Sequence, residues 1–150
     1  MAEKKEASEF DDLVKNMEAE VLEKARELYT SKTLEEAYNP KNVGELKTAN
    51  GAARITGPCG DTQQIQVSVE GNRIVDCTFI TDGCGASTAC GSVATELVKG
   101  KTIEEALAVE DGDILAVLGG LPADNIHCAT LAVDTLRAAL EDYKNRNEAD

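Results

Sequence analysis

Between Gln64 and Thr81 the chain spells out a β-hairpin, and that signal narrows the folds open to it. Ile65, Val67 and Val69 alternate with polar residues, which is the period of a half-buried strand. Gly71-Asn72 is a hairpin turn pair. Arg73 to Thr81 returns as a second strand, with Val75, Cys77 and Phe79 expected on one shared face. Gly51 to Thr56 supplies a third candidate strand. The segments on either side carry helical spacing instead. The expected class is therefore α+β: a small antiparallel three-stranded sheet covered on one face by helices, with an extended N-terminal helix.

The chain before Asn39-Pro40 is rich in Glu and Lys and reads as helical. Ser8-Glu9-Phe10-Asp11 has the form of a capping box, and Phe10, Val14, Met17, Val21, Ala25 and Leu28 recur along one helical face. Thr33-Leu34-Glu35-Glu36 suggests a second helix start, which must end before Pro40. After Gly83-Cys84-Gly85 a stripe of small residues (Ala86, Ala89 or Cys90, Val93, Leu97) predicts a helix closed by Gly100. Thr102-Ile103-Glu104-Glu105 is another capping box. Asp111 to Leu118 predicts a short helix stopped by Gly119-Gly120. A last helix is introduced by Pro122 and Asp124, with Ile126, Ala129, Val133, Leu136, Leu140 and Tyr143 on its apolar face.

Charge and composition remove several function classes. Asp and Glu outnumber Lys and Arg 28 to 15, giving a net charge of −13 that repels phosphate backbones and anionic lipid. Aromatic residues are 3% of the chain and Trp is absent, so base-stacking platforms are excluded. The sequence MAEKKEASEF lacks the apolar region of a signal peptide, and Ile114 to Leu118 is far too short to span a bilayer. The expected location is cytoplasmic. Disulfides are rare there, yet the chain carries five cysteines, Cys59, Cys77, Cys84, Cys90 and Cys128. An odd set of thiols in a reducing compartment points to metal, sulfur or redox chemistry.

Three loci combine donors with flexible backbone: Gly57-Pro58-Cys59-Gly60-Asp61, Gly83-Cys84-Gly85, and His127-Cys128. Together they offer three thiols, the chain's one imidazole and a carboxylate. Thiolates favour zinc, copper(I) and iron–sulfur units, and histidine accepts zinc and iron. Cys84 ahead of a helix and Cys128 in a first turn would both meet a positive helix end, which favours thiolate. No C-x-x-C pair is present, so neither a zinc ribbon nor a thioredoxin motif is written here. Asp61 could equally stabilise a turn after Gly60, and His127 could be a satisfied helix-start residue. Cys77 and Cys90 read as buried packing residues.

YNPKNVG from Tyr38 to Gly44, then GPCGD, GCGAS, VKGKTIEEAL and LPADNIHC occur in order across Tyr38 to Arg146. This run resembles the IscU/NifU N-terminal-domain family of iron–sulfur cluster assembly scaffolds. The resemblance implies a domain over 38–150 with a helical extension over 1–37. It implies a site of Cys59, Asp61, Cys84, His127 and Cys128, with Cys128 receiving persulfide sulfur. The implied cargo is a labile [2Fe–2S] cluster built from iron, with zinc held in the cluster-free form. The implied partners are a cysteine desulfurase and apo iron–sulfur acceptor proteins, and the implied role is that of a scaffold and carrier rather than an enzyme.

Two departures qualify those implications. Bacterial scaffolds carry a Leu-Pro-Pro-Val-Lys segment that an Hsp70-type chaperone grips. Leu121-Pro122-Ala123-Asp124-Asn125 lacks its second proline and its lysine, which argues against that partner. The helix before Tyr38 is longer than usual, and its stripe fits either the domain's own core or a homodimer contact. The competing function is a zinc-dependent sulfurtransferase that accepts persulfide without building a cluster. That branch has an insertion between Cys84 and His127 that this chain lacks, which favours the scaffold.

Overall fold

A computed structural model describes residues 2–58 and 60–148, with the side chains of 2–8, 22 and 148 left aside. Helices α1 (Ala2–Leu28) and α2 (Ser31–Tyr38) precede strands β1 (Gly51–Thr56), β2 (Thr62–Glu70) and β3 (Arg73–Thr81). Helices α3 (Gly85–Val98), α4 (Ile103–Leu107), α5 (Asp111–Leu118) and α6 (Ile126–Glu148) follow, with a 3-10 turn over Ala123–Asn125. The sheet is antiparallel in the order β1-β2-β3. Helix α6 packs across β1 and β2, and α3 packs across β3. The α+β class and the long N-terminal helix are as the sequence implies.

Alternation in β2 sends Ile65, Val67 and Val69 inward, where they meet Leu136, Ala139 and Leu140 of α6. On β3 the expected face is corrected at one end. The register shifts between Ser68 and Val69, so Val69 pairs with Ile74 while Ser68 pairs with Asp76. The extra residue is Val75, which turns out to solvent, and Ile74 takes the inward place beside Cys77 and Phe79. A bulge of this kind re-aims side chains without a mark in the apolar pattern. Gly91 lets α3 lie close on the sheet, since a Cβ there would stand 2.4 Å from the Phe79 ring.

Two helix starts also differ from expectation. Helix α1 already runs from Ala2, so its start is not at Ser8. Helix α2 is capped by Thr30, whose hydroxyl accepts from the Thr33 amide, so Thr33 lies inside the helix it was expected to open. The Thr102 capping box forms as written, and Gly119 ends α5 in the left-handed conformation. A second apolar cluster joins α3, α5 and the start of α6 through Cys90, Ile114, Leu118, Cys128 and Ala132. The candidate donors lie at its edge.

Candidate functional site

The loop from β1 to β2 closes on itself, with the Gly57 amide donating to the Asp61 carbonyl at 2.8 Å. Asp61 thereby enters β2 with its carboxylate turned toward the start of α3. Cys84 is the residue that caps α3, and its backbone is extended (φ −70°, ψ 179°). Cys128 stands in the first turn of α6, where packing against α3 holds it 1% exposed. One donor atom each from Asp61, Cys84 and Cys128 falls within 4.8 Å of the others. The His127 Nε2 lies 3.7 Å from the Cys128 Sγ. Four of the five residues singled out in the sequence are therefore neighbours. The fifth, Cys59, lies outside the described residues.

Ser87 was not singled out, and it sits at the centre of this group. Its hydroxyl donates to Asp61 Oδ2 at 2.7 Å and lies 3.4 Å from Cys128 Sγ and 3.9 Å from Cys84 Sγ. It is fully buried. The readable signal was its spacing: three residues after a helix-capping cysteine, a side chain returns to the same face. Gly83 makes the approach possible, because a Cβ there would stand 2.7 Å from Ser87 and 2.8 Å from Asp61 Oδ2. Tyr29 was also missed. Its hydroxyl donates to Asn125 Oδ1 at 3.2 Å, which ties the end of α1 to the turn before His127.

The electrostatics of the group are one-sided. No lysine or arginine pairs with Asp61 among the described residues. Burial pushes the Cys128 thiol up to about 11, the Ser87 hydroxyl pulls it back, and nearby Cys84 and Asp61 add to the rise. Burial thus favours the protonated Cys128 thiol, against the thiolate expected from its place at a helix start, while Cys84 is solvent-exposed. Burial, and then Cys84 and Cys128, also raise Tyr29 above its usual range. Desolvation drives the Cys77 and Cys90 thiols far up, and both are fully buried core residues as expected. Two thiols, a carboxylate and an adjacent imidazole form a donor set suited to a thiophilic metal ion. Binding such an ion must release the Cys128 proton.

Comparison with known proteins places this chain among relatives. The profile of the NifU-like N terminal domain matches residues 28–150. The chain is 45% identical over 121 residues to the iron-sulfur cluster assembly scaffold protein IscU 1 of Archaeoglobus fulgidus, covering 80% of this chain and 79% of that one. It is 40% identical over 126 residues to the protein of the same description, IscU, from Escherichia coli, covering 81% and 98% respectively. Among solved structures, the N-terminal NifU-like protein from Brucella abortus superposes with a TM-score of 0.63 at 19% identity, over 79% of this chain and 95% of that one. At that identity the likeness concerns the fold.

Proposed function

The chain belongs to the NifU-like N-terminal domain family, and from that premise we propose that it is a scaffold on which an iron–sulfur cluster is assembled and then passed to apo-proteins. The observation that carries the reading is the convergence of Asp61, Cys84 and Cys128 donor atoms within 4.8 Å, with no lysine or arginine on the carboxylate among the described residues. Such a cluster of donors is completed by a cation from outside. We assign Cys59, Cys84 and Cys128 as thiolate ligands, with Asp61 and His127 completing or exchanging at the remaining position, and a [2Fe–2S] unit as the cargo. In the cluster-free protein the same donors suit tetrahedral zinc, since thiolate, imidazole and carboxylate all bind it.

The family resemblance gives sulfur acceptance from a cysteine desulfurase to Cys128. Two things must then happen in this chain. The buried Sγ has to become accessible, through movement of the Asp61 loop or of the first turn of α6, and its proton has to leave. Asp61 is the one carboxylate beside it in the donor group, and the Ser87 hydroxyl, the Cys84 thiol and the His127 ring are further polar neighbours. Cys84, already exposed, is a thiol that an incoming donor or acceptor protein can reach directly.

Anaerobic treatment with ferrous iron, sulfide and reductant tests the proposal. The expected result is a visible charge-transfer spectrum with equal iron and sulfide bound, lost on replacing Cys84. Retained zinc with no cluster under these conditions would instead support a zinc-dependent sulfurtransferase.

A further inference from the structure

All of helix α1 but its last residue, Leu28, lies ahead of the residues matched by the family profile, and its apolar stripe is not absorbed by the domain's core. Phe10, Met17, Val21 and Leu28 are each between 58% and 65% exposed. With Val14 they follow one another at intervals of three, four or seven residues, the spacing of a coiled-coil seam. Val14, Met17 and Val21 together with Tyr38 of α2 line an open groove of about 680 Å3. A neighbouring cavity of about 220 Å3 shares Tyr38 with it and reaches Gly85, the residue after Cys84. The stripe was expected either in the domain's own core or in a homodimer contact. The first of these is corrected here, because Phe10, Met17, Val21 and Leu28 face solvent and Val14 and Ala25 are only half-buried.

The residues bordering the seam decide what can cover it. In heptad register the flanking positions hold Asp11, Glu18, Glu20 and Glu27, with Leu13 and Ala25 between them and no cation. A second copy laid along the stripe, in either direction, brings no flanking cation to face these carboxylates. Each copy also carries a net charge of −13. In a parallel self-pair Lys24, the one charged residue in the seam, would stand against its own counterpart. Anionic lipid is repelled by the same carboxylates, because helices that lie on such surfaces carry Lys and Arg beside the apolar face. An amphipathic helix with Lys or Arg at its flanking positions satisfies both halves of the surface: apolar seam against seam, cation against each flanking acid.

We propose that α1 is a docking face for a basic amphipathic helix of a partner protein, seated along the Phe10–Leu28 seam and gripped at its edges by Asp11, Glu18, Glu20 and Glu27. The seam supplies the attraction and the acidic border supplies the choice of partner.

The test uses the full chain and two synthetic helices of about 21 residues, three heptads with leucine at the seam positions. One carries Lys and Arg at the flanks and the other carries Glu. Fluorescence anisotropy should show the basic helix bound and the acidic one unbound. Met17→Glu adds a negative charge, which by long-range attraction alone would favour the basic helix. It should nevertheless weaken binding by about 10-fold or more if the seam is the contact. The pair E18K and E20K should shift preference toward the acidic helix, with circular dichroism showing α1 intact. Equal binding of both helices by the wild type would overturn the proposal, as would unchanged binding by Met17→Glu. Sedimentation of the chain alone as a dimer that Met17→Glu dissociates would assign the stripe to a second copy. Flotation of the chain with phosphatidylglycerol vesicles, abolished by the same variant, would assign it to lipid.

Discussion

Helix α3 meets two groups of anionic side chains, and they are built on opposite terms. Toward its middle, Ser92 faces Glu36 of α2, a carboxylate only 2% exposed. Glu36 is closed off by two cations, Lys32 Nζ at 3.0 Å and Lys41 Nζ at 2.8 Å, and by the Ser92 hydroxyl, which donates to it. Burial alone would raise this carboxyl, but the Lys41, Ser92 and Lys32 hydrogen bonds outweigh it and hold it down at about 2. At the N-terminal end of the same helix, Asp61, Cys84 and Cys128 crowd together around Ser87, with no lysine or arginine on the carboxylate among the described residues. A buried charge with its partners inside the chain is structural, since nothing remains for a ligand to supply. A donor cluster lacking its cation is where the chain leaves room for one. Both stand on one helix, so the difference lies in the partners and not in the scaffold.

Breaking the open group should abolish metal chemistry and leave folding intact. Cys84→Ser, at an exposed helix cap, is expected to lower zinc or iron affinity by on the order of 100-fold, at the upper end of what a shell change does. Its melting temperature should stay close to that of the wild type. Metal titration beside a thermal melt checks both arms, and parallel loss of stability would make Cys84 structural. Cys128→Ser sharpens the same contrast for sulfur. Persulfide labelling by a desulfurase should vanish in that variant, and persistence at the wild-type level would move the acceptor role to the exposed Cys84.

Asp61 is the hard donor among soft ones, so in the proposed site it would mark the corner where a cluster is held least covalently. Asp61→Ala is expected to lengthen cluster lifetime and slow transfer to an apo-ferredoxin by roughly 10–100-fold. Transfer kinetics followed anaerobically test this, and an unchanged lifetime with a lower melting point would leave Asp61 a turn residue.

Breaking the closed group should do the reverse. Glu36→Gln removes the charge from three hydrogen bonds and is expected to cost about 1.5–3 kcal/mol of stability with metal uptake unchanged. The carboxyl sits near 2 in the fold against its usual 4.5. The folded state therefore binds fewer protons than the unfolded state across that window, and stability falls as pH drops from 4.5 toward 2. The contribution lost is at most about 3 kcal/mol. Urea melts between pH 7 and 3 should show the wild type approaching the Gln variant as pH falls. Parallel curves would remove Glu36 from the acid response.

The contrast also sorts what the sequence could reveal. The hairpin, the Thr102 box and the donor loci at Asp61, Cys84 and His127-Cys128 were legible, because period, capping chemistry and unusual residue types are local signals. The Glu36 clamp was not, because a glutamate in an acidic helix reads as solvated until Lys41 and Ser92 are brought to it across the fold. Val75 was misread for a related reason: a bulge changes which residues share a face while leaving the composition of the strand alone. The α1 stripe had the opposite problem. Its period was clear, but periodicity reports an apolar face and says nothing of what covers it.

Ser87 stands in the open group and is itself fully buried, which makes its removal the most delicate test. Its hydroxyl is the one strong donor given to the Asp61 side chain among the described residues, with the Cys84 thiol a weaker one at 3.9 Å. Gln63 in turn fixes its backbone, donating through Nε2 to the Ser87 carbonyl at 2.7 Å. If the hydroxyl merely satisfies a carboxylate, Ser87→Ala costs about 1 kcal/mol, the net worth of an ordinary hydrogen bond, and Asp61 turns to water. If it also holds Asp61 against Cys84 and Cys128, the loss extends to geometry, and metal affinity falls by about 10-fold, as for other supporting contacts around a metal. Ser87→Thr separates the two roles, because it keeps the donor while adding a methyl group beside Gly83. It should recover affinity if the donor is what matters, with any stability loss reporting the crowding alone. Equal affinity in wild type, Ala and Thr variants would reduce Ser87 to a filler of the space between α3 and the Asp61 loop.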